Sequence, residues 1–327
     1  MLQVKVAHDS VRIGRHFSVS FQRTLRIPED GRTYPLPPGL GSFPIRRVAD
    51  FADRVPASWR EHGGVFIPMY QREALWLSFH AADWRPNAVK IGIGKVNAIS
   101  GKPWEEKLRC GKEDYIVVPD QPWLDGINAG DGIVRQFVAM PLGMGYTVEG
   151  QLSGKEEFGG IQIIAYDPKP GKFPDRPPRL DRSGDVLYCM SAPCCVSEMG
   201  IAAGGRLTQK IYPDAYGIDT WNEENSGRVY VHIVNSLMYR QITGEEPPAT
   251  PVTAREYADH GLPWFALYDE RKGDIEASPE LAGIKSVKGM DDDLGFKGLQ
   301  DDTGVETPES VIVMVPPDKQ VVQDGQW

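Results

Sequence analysis

The stretch Phe17-Ser18-Val19-Ser20-Phe21-Gln22-Arg23-Thr24-Leu25-Arg26-Ile27 decides the predicted fold, because its apolar and polar residues alternate. Successive side chains of a strand point to opposite faces, so a period of two predicts a strand with one buried face. Arg23 interrupts the apolar side, as a residue at a bulge or at an end-facing position would. The pattern therefore predicts a half-buried strand.

Similar short patterns recur along the chain. The predicted strands span residues 75–81, 89–93, 115–118, 134–140, 146–152, 161–166, 207–212, 229–234 and 311–315. The chain also holds 35 Gly and 27 Pro, which break helix interiors and mark turns. Residues 34–44 carry four of these prolines and are predicted to form an irregular loop. The predicted fold is mainly β and β-sandwich-like, as one large or two packed β domains with a few short helices.

Three short helices are predicted between these strands. They cover residues 50–61, where Pro56 divides the helix, and residues 235–242 and 253–260. Thr253 followed by Glu256 matches a capping box, in which each side chain bonds a free backbone N–H of the first turn. Strands and helices do not alternate regularly, which argues against a doubly wound parallel sheet.

Composition divides the chain into three predicted segments: a β-rich N-terminal part (1–118), a β-rich central part with short helices (119–271) and an acidic, partly ordered tail (272–327). The formal net charge is −9, from 45 acidic and 36 basic residues, and the tail holds 12 of the acids against 5 bases. An acidic chain disfavours nucleic acid as a partner, although the remaining body is nearly neutral.

The apolar runs, the first residues and the cysteines indicate the cellular compartment of the protein. No apolar run reaches the roughly 18 residues that a membrane helix needs, and no basic region followed by an apolar stretch opens the chain. We therefore expect no membrane partner and a cytoplasmic location. Cys110 stands alone, while Cys189, Cys194 and Cys195 cluster without a C-x-x-C spacing. Reduced thiols are expected, and whether the clustered cysteines have a function stays open.

Known catalytic and cofactor motifs are absent from the sequence. Gly92-Ile93-Gly94-Lys95-Val96-Asn97 begins like a dinucleotide loop, but Asn97 replaces the third glycine and no helix pattern follows. No G-x-S-x-G elbow occurs, and the six histidines lie far apart in sequence. We predict no cofactor and no metal site.

One acidic loop has two interpretations. Asp120, Asp125, Asn128 and Asp131 are oxygen ligands of the kind that calcium prefers, in a glycine-rich segment. Their spacing is not that of an EF-hand, and Asp125-Gly126 and Asp131-Gly132 are typical of turns. The turns are favoured, and calcium binding stays an alternative.

Loop tryptophans are the other candidates for recognition. Trp104, Trp123 and Trp264 each follow a proline. A tryptophan on a rigid loop can carry a sugar ring or anchor a protein partner, whereas packing over an open sheet end is the commoner use.

Two segments resemble a family of uncharacterised bacterial and fungal proteins: Phe21-Gln22-Arg23-Thr24-Leu25-Arg26-Ile27-Pro28 with the following Tyr34-Pro35-Leu36-Pro37-Pro38-Gly39, and Lys210-Ile211-Tyr212-Pro213-Asp214. The terminal Asp324-Gly325-Gln326-Trp327 is similar as well. The resemblance implies no activity, cofactor or catalytic residue.

These observations lead to one hypothesis and one alternative. The hypothesis is a non-catalytic binding or self-assembling protein that recognises a protein partner or a polar ligand through its loops. The alternative is an enzyme, possibly metal-dependent, with an acid–base site on a β scaffold. The candidate ligand-binding residues are Trp104, Trp123, Asp125, Asp131, Arg135, Glu149 and His232.

Overall fold

The structure is a computed structural model that describes residues 1–109, 111–174, 198–266, 272–296, 303–307 and 311–313. Its strands are β1 (Val4–Ala7), β2 (Ser10–Ile13), β3 (Phe17–Thr24), β4 (Thr33–Tyr34), β5 (Gly39–Ser42), β6 (Arg46–Arg47), β7 (Val65–Met69), β8 (Ala74–His80), β9 (Asn87–Ile93), β10 (Val96–Asn97), β11 (Ile116–Val118), β12 (Trp123–Leu124), β13 (Gly126–Gly130), β14 (Ile133–Pro141), β15 (Ile161–Pro168), β16 (Glu198–Thr208), β17 (Trp221–Asn235), β18 (Trp264–Ala266) and β19 (Val311–Val313).

The helices are few and short. They are α1 (Ala57–His62), α2 (Val148–Ser153), α3 (Ser236–Thr243), α4 (Ala254–Asp259), α5 (Pro279–Ala282) and α6 (Val287–Asp293), with single 3-10 turns at Val48–Phe51 and Ile218–Thr220. Thr253 and Glu256 form the predicted capping box of α4. The division predicted at Pro56 is also confirmed, since a 3-10 turn ends before it and α1 starts after it.

Hydrogen bonds connect β1 to β17 into one mainly antiparallel network of two layers. The first layer runs in the order β1–β2–β3–β8–β14–β16–β4. The second runs β11–β9–β15–β17–β7–β6. The layers join at a corner, where Glu198 and Met199 of β16 pair with Val234 and Ile233 of β17. The predicted mainly β, sandwich-like fold is confirmed.

Alternation along the strands builds the core between the layers. Phe17, Val19 and Phe21 of β3 are fully buried in the same cluster as Val231 and Ile233 of β17. Arg23 continues the apolar side of β3, and its guanidinium forms a buried ion pair with Glu73 at 2.6 Å. The interruption seen in the sequence is thus a buried charge with its counter-ion.

Three local predictions were wrong. Residues 146–152 were expected to form a strand, but Thr147 accepts a hydrogen bond from the Gly150 N–H and starts α2, which Gly154 ends in a left-handed conformation. The strand expected at 207–212 ends at Thr208. Residues 34–44 are not wholly irregular, because β5 pairs with β3 there. A helix cap outweighs the apolar pattern at 146–152. Strand pairing decides the other two cases, because β16 ends where its partner β14 begins at Ile133, and β5 pairs with β3 despite the nearby prolines.

Residues 272–296, called the strap below, lie against the body of the protein. Leu281 and Ile284 are buried in the main core, and Val287 is buried against the outer side of the β14–β16 ladder. Asp291 accepts two hydrogen bonds from the Arg72 guanidinium, at 2.6 and 2.7 Å. The three-segment division at 118 and 271 stays a prediction, and buried residues from all three segments share the main core.

Two sequence predictions concern the membrane and the cysteines. Within the described ranges, no helix has the length and apolar character required to cross a bilayer. Cys110, Cys189, Cys194 and Cys195 lie outside the described residues.

Candidate functional site

A pocket lined by arginines lies on the outer side of the first layer, between the β14–β16 ladder, the loop that follows β3 and the strap. Its volume is about 240 Å³. The lining residues are Pro28, Glu29, Gly31, Arg32, Arg135, Gly204, Gly205, Arg206 and Ser286. The pocket is therefore assembled from four separate parts of the chain.

A β-bulge shapes the floor of this pocket. Arg135 pairs with Arg206 and Phe137 with Ala203, so Gly204 and Gly205 together oppose the single residue Gln136. A Cβ atom on Gly205 would lie 2.8 Å from the carbonyl oxygens of Ile27 and Pro28, so only glycine permits this approach of the loop. Bulges bend a strand and redirect its side chains, and here the bulge places two arginines at the rim.

The buried side chain of Gln136 holds the loop that follows β3 against the sheet. Its side-chain oxygen accepts a hydrogen bond from the Ile27 N–H at 2.9 Å, and its Nε2 donates to the Leu25 carbonyl at 2.7 Å. Gln136 is fully buried, so both polar groups of its amide are satisfied inside the protein. The floor of the pocket is consequently fixed relative to the sheet.

Arg135 and Arg206 face each other across the β14–β16 ladder, as directly opposed partners. Burial lowers the pKa of Arg135, the charge of Arg206 lowers it further, and Glu29 acts in the opposite direction. Like charges at directly opposed positions destabilise a sheet. Within the described residues neither arginine forms a salt bridge, although one guanidinium nitrogen of Arg135 donates to the Ile284 carbonyl.

The acidic groups near the pocket are engaged with other donors. The Glu29 carboxylate accepts from the Arg26 guanidinium at 2.8 Å and from the Lys288 N–H at 2.6 Å. Arg32 pairs with Asp30, which also accepts a hydrogen bond from the Tyr34 hydroxyl. Positive charge is therefore in excess at the Arg135–Arg206 pair.

The side chains that line this pocket are suited to binding an anion. Guanidinium groups donate two parallel hydrogen bonds to a carboxylate or a phosphate. Ser286 also lines the pocket. Its hydroxyl caps α6 by accepting a hydrogen bond from the Gly289 N–H at 3.2 Å. The lining thus offers anion-binding donors and, among the described residues, no histidine or cysteine.

Of the predicted site residues, Arg135 lines this pocket, and the other six lie elsewhere. Trp104 lies half-buried on the outer side of β9, where a Cβ on Gly92 would come within 2.6 Å of its ring. Trp123 is buried in the main core cluster, and its ring meets that of Trp76 edge-on at 6.2 Å. These two tryptophans therefore lie in separate packing environments.

The acidic loop does not gather its oxygen ligands. The side chain of Asp125 is buried and accepts from Gln209 Nε2 at 2.9 Å, while Asp120 pairs with Lys272 at 2.8 Å. The Asn128 oxygen accepts from the Gly130 N–H, and Asp131 is exposed in the β13–β14 turn with a φ of 55°. In the part of the chain that the structure describes, no group of three or more His, Cys, Asp or Glu side chains could hold a metal.

One of the two turns expected in the acidic loop is present. Asp131-Gly132 forms the turn of the β13–β14 hairpin, as the sequence indicates. Asp125-Gly126 does not form a turn: Asp125 lies between β12 and β13, and Gly126 begins β13, where a Cβ would approach the Arg135 carbonyl oxygen to 1.9 Å. Here the glycine permits a close approach of two strands.

Glu149 and His232 lie near Tyr230 on the second layer. The Glu149 carboxylate accepts hydrogen bonds from the backbone N–H groups of Glu157, Phe158 and Gly159 at 2.8–2.9 Å, which ties that loop to α2. His232 stacks between Trp59 and Tyr230, with ring centroids 4.5 and 4.4 Å away.

The environment of His232 keeps its ring neutral. Burial lowers its pKa to about 3, although a hydrogen bond to the Gly63 carbonyl, at 3.0 Å, acts in the other direction. A histidine needs a pKa near the working pH to act as an efficient acid or base. His232 and Glu149 thus have structural contacts, and neither lines the arginine pocket.

Apart from Arg135, the sequence did not reveal the pocket residues, which include Arg206, Glu29 and the Gly204-Gly205 pair. Each belongs to a common residue type in an ordinary strand or loop context. A signal did exist in Gly-Gly followed by Arg inside an apolar strand, because paired glycines in a strand indicate a bulge or a close backbone approach. Only the register shows that this bulge opposes Gln136 and lies next to the Arg135–Arg206 pair.

Comparison with known proteins gives no match, whether to a protein-family model, to a curated protein or to a solved structure. The resemblance to uncharacterised bacterial and fungal proteins stays a prediction.

Proposed function

We propose that this chain is a non-catalytic binding protein whose polar ligand is a small carboxylate, held between Arg135 and Arg206. The observation that carries the proposal is the direct opposition of these two arginines beside a cavity, with no salt bridge to either within the described residues. A bound carboxylate would offset their mutual repulsion and accept hydrogen bonds from both guanidinium groups.

The volume and the lining of the pocket support a small ligand. A volume of about 240 Å³ is below the range of drug-sized sites and suits a compact di- or tricarboxylate. The bulged backbone at Gly204-Gly205 leaves the floor free of side chains, and the strap closes one side through Ser286. Because Gln136 fixes the floor and the Ile284 carbonyl accepts a hydrogen bond from Arg135, this part of the pocket is ordered before the ligand arrives, which limits the ordering cost of binding.

The test is calorimetric titration of the full chain with citrate and succinate at low salt. Replacing Arg206 by alanine is expected to weaken binding about ten- to a hundredfold, since hydrogen bonds to charged groups contribute about 1.5–3 kcal/mol. Arg135→Lys is expected to lie between wild type and Arg206→Ala, because lysine keeps the charge and loses the planar fork. The matched control is Arg240→Ala, whose side chain pairs with Glu246 on the surface of α3.

A stability measurement separates loss of binding from loss of folding. Without ligand, Arg206→Gln is expected to leave the free energy of unfolding unchanged or to raise it by about 0.2–1 kcal/mol, because a like-charge pair is removed. Binding that is equal in wild type and Arg206→Ala, or equally weakened in Arg240→Ala, would contradict the proposal. So would the absence of heat with both carboxylates.

Self-association and a protein partner stay predictions. Sedimentation of the same samples, with and without citrate, checks them directly. A change in mass with concentration would show that the chain assembles with itself.

A further inference from the structure

A second cavity, of about 290 Å³, lies at the far end of the first layer, where β2, β3 and β8 meet. Its lining residues are Arg12, Arg15, His16, Phe17, Ser18, His80, Ala81 and Ala82. None of them lines the arginine pocket described above. The cavity is therefore a separate feature of the fold.

The register of three strands places polar side chains in one row. Arg12 of β2 is directly opposite Ser18 of β3, and Ser18 is directly opposite His80 of β8. Directly opposed residues point to the same side of a sheet, so these three side chains lie together on the outer face. Phe17 and Val19, which flank Ser18, are buried in the core on the other face.

The turn between β2 and β3 adds two further donors. Arg15 is exposed, and His16 is half-buried with the edge of its ring against Trp84, at a centroid distance of 4.9 Å and an angle of 74°. Trp84 lies in the loop between β8 and β9, so this loop packs against the imidazole of His16. The ring of His16 is thereby oriented at the edge of the cavity.

The charges around His16 are mostly positive. Burial lowers its pKa, and Arg85 and Arg15 lower it further, while Asp167 of β15 acts in the opposite direction. Asp167 is itself hydrogen-bonded by the Asn87 side chain at 2.9 Å. Among the described residues, the lining contains two arginines, two histidines and a serine, and no acidic residue.

Arg12 and Arg15 have no counter-ion in the part of the chain that the structure describes. Among the described residues, neither forms a salt bridge or donates a side-chain hydrogen bond. Surface arginines usually find a carboxylate or bulk water, but here both border one concave site together with two imidazoles. An anion is the species that would satisfy all of these donors at once.

We infer that this cavity binds a tetrahedral oxyanion, such as inorganic phosphate, sulfate or the phosphate group of a small monoester. The donors come from a strand row and from a turn, and so approach from different directions. Several acceptor oxygens arranged around one centre match such an arrangement better than the flat pair of a carboxylate. The inference is independent of the proposed carboxylate site, because the two cavities share no lining residue.

Sulfate is the best probe, because it stays a dianion across the pH range in which histidine titrates. Titration of the full chain with sulfate at pH 6, 7 and 8 is expected to show affinity that rises as the pH falls, by about threefold or more overall. The reason is that the His16 ring becomes a donor at both nitrogens when it is protonated, and because burial and Arg85 lower its pKa, most of the gain in affinity is expected towards pH 6. The charged groups that face His16 from the neighbouring elements are Arg15, Arg85 and Asp167.

Substitutions of the lining residues test whether sulfate binds in this cavity. Arg12→Ala and Arg15→Ala are each expected to weaken sulfate binding about tenfold, the loss of one charge-assisted contact. Lys5→Ala is the matched control, because Lys5 is exposed and opposite Arg12 in β1 but does not line the cavity. Arg240→Ala, whose side chain pairs with Glu246 and lines neither cavity, is a second control and is expected to leave sulfate binding unchanged.

Three results would overturn the inference. The first is no measurable sulfate binding by the wild type at tens of millimolar, and the second is equal binding by the Arg12→Ala and Arg15→Ala variants. The third is a loss of sulfate affinity in Lys5→Ala as large as that in Arg12→Ala, which would indicate that surface charge attracts the anion non-specifically. Arg12→Lys, which keeps a charge on the exposed side of β2, shows whether the loss in Arg12→Ala is due to misfolding. Recovered binding in Arg12→Lys supports the site.

Discussion

Replacing Glu73 by alanine is expected to lower the free energy of unfolding by about 3–5 kcal/mol, because it leaves a buried guanidinium without its counter-ion. The Glu73 side chain is 1% exposed and that of Arg23 is 9% exposed. One carboxylate oxygen accepts from Arg23 Nε and Nη2 at 2.8 and 2.6 Å, and the other accepts from the Tyr70 N–H at 2.8 Å. The measurement is equilibrium unfolding in urea.

The surroundings of this pair explain why water cannot replace the lost carboxylate. Arg23 lies on the apolar side of β3, with its guanidinium 5.5 Å from the centre of the Phe43 ring, and Nη2 also donates to the Ala249 carbonyl. Burial raises the pKa of Glu73, although the hydrogen bond from Tyr70 and the charge of Arg23 act in the opposite direction. The carboxylate therefore depends on these donors.

A double substitution is the control for Glu73. Arg23→Met combined with Glu73→Met removes both charges and keeps apolar volume, so it is expected to recover most of the stability lost in Glu73→Ala. If Glu73→Ala cost less than about 1 kcal/mol, or if the double variant were less stable than the single one, the buried-charge explanation would fail.

Asp125 is expected to make the protein less stable as the pH rises from about 4 to about 7. Burial raises its pKa to about 7, although hydrogen bonds from Trp123 and Gln209 act downward, whereas an aspartate in an unfolded chain ionises near 3.9. Between these values the unfolded chain has released a proton that the folded protein retains. Stability is therefore lost as the pH rises, at roughly 1.4 kcal/mol for each unit of pKa difference, up to about 4 kcal/mol.

Replacing Asp125 by asparagine removes this ionisation. The expected result is that Asp125→Asn is more stable than wild type at pH 8, and that the difference shrinks below pH 5, where the wild-type carboxyl is neutral. The measurement is urea unfolding of both proteins at several pH values. Asp131→Asn is the matched control, because Asp131 is exposed in the adjacent hairpin turn and asparagine tolerates its positive φ. A wild-type profile parallel to that of Asp125→Asn would refute the assignment.

Several local features were predictable from the sequence. The alternation from Phe17 to Phe21 correctly indicates which face of β3 is buried. Thr253 and Glu256 correctly mark the start of α4. Such features depend on residues within a few positions of one another, through side-chain alternation and capping.

The candidate sites were predictable to a much smaller extent. Arg135 is one of the candidate residues named from the sequence, but nothing in the neighbouring sequence identifies Arg206 as its partner. Asp125 was selected as a loop carboxylate, and the structure buries it against Gln209. Residues 146–152 show that even secondary structure depends on a single cap, here Thr147.

By itself, the sequence determined a mainly β chain with short helices, its principal strands and the end of the chain where acidic residues concentrate. The tertiary structure alone decided which charges meet: Arg23 with Glu73, Arg135 with Arg206, and Arg12 in a row with Ser18 and His80. The physical reason is that alternation and capping act between near neighbours, whereas these pairs depend on strand register and on a bulge at Gly204-Gly205. A shift of one residue in register would move each of these side chains to the opposite face of its strand.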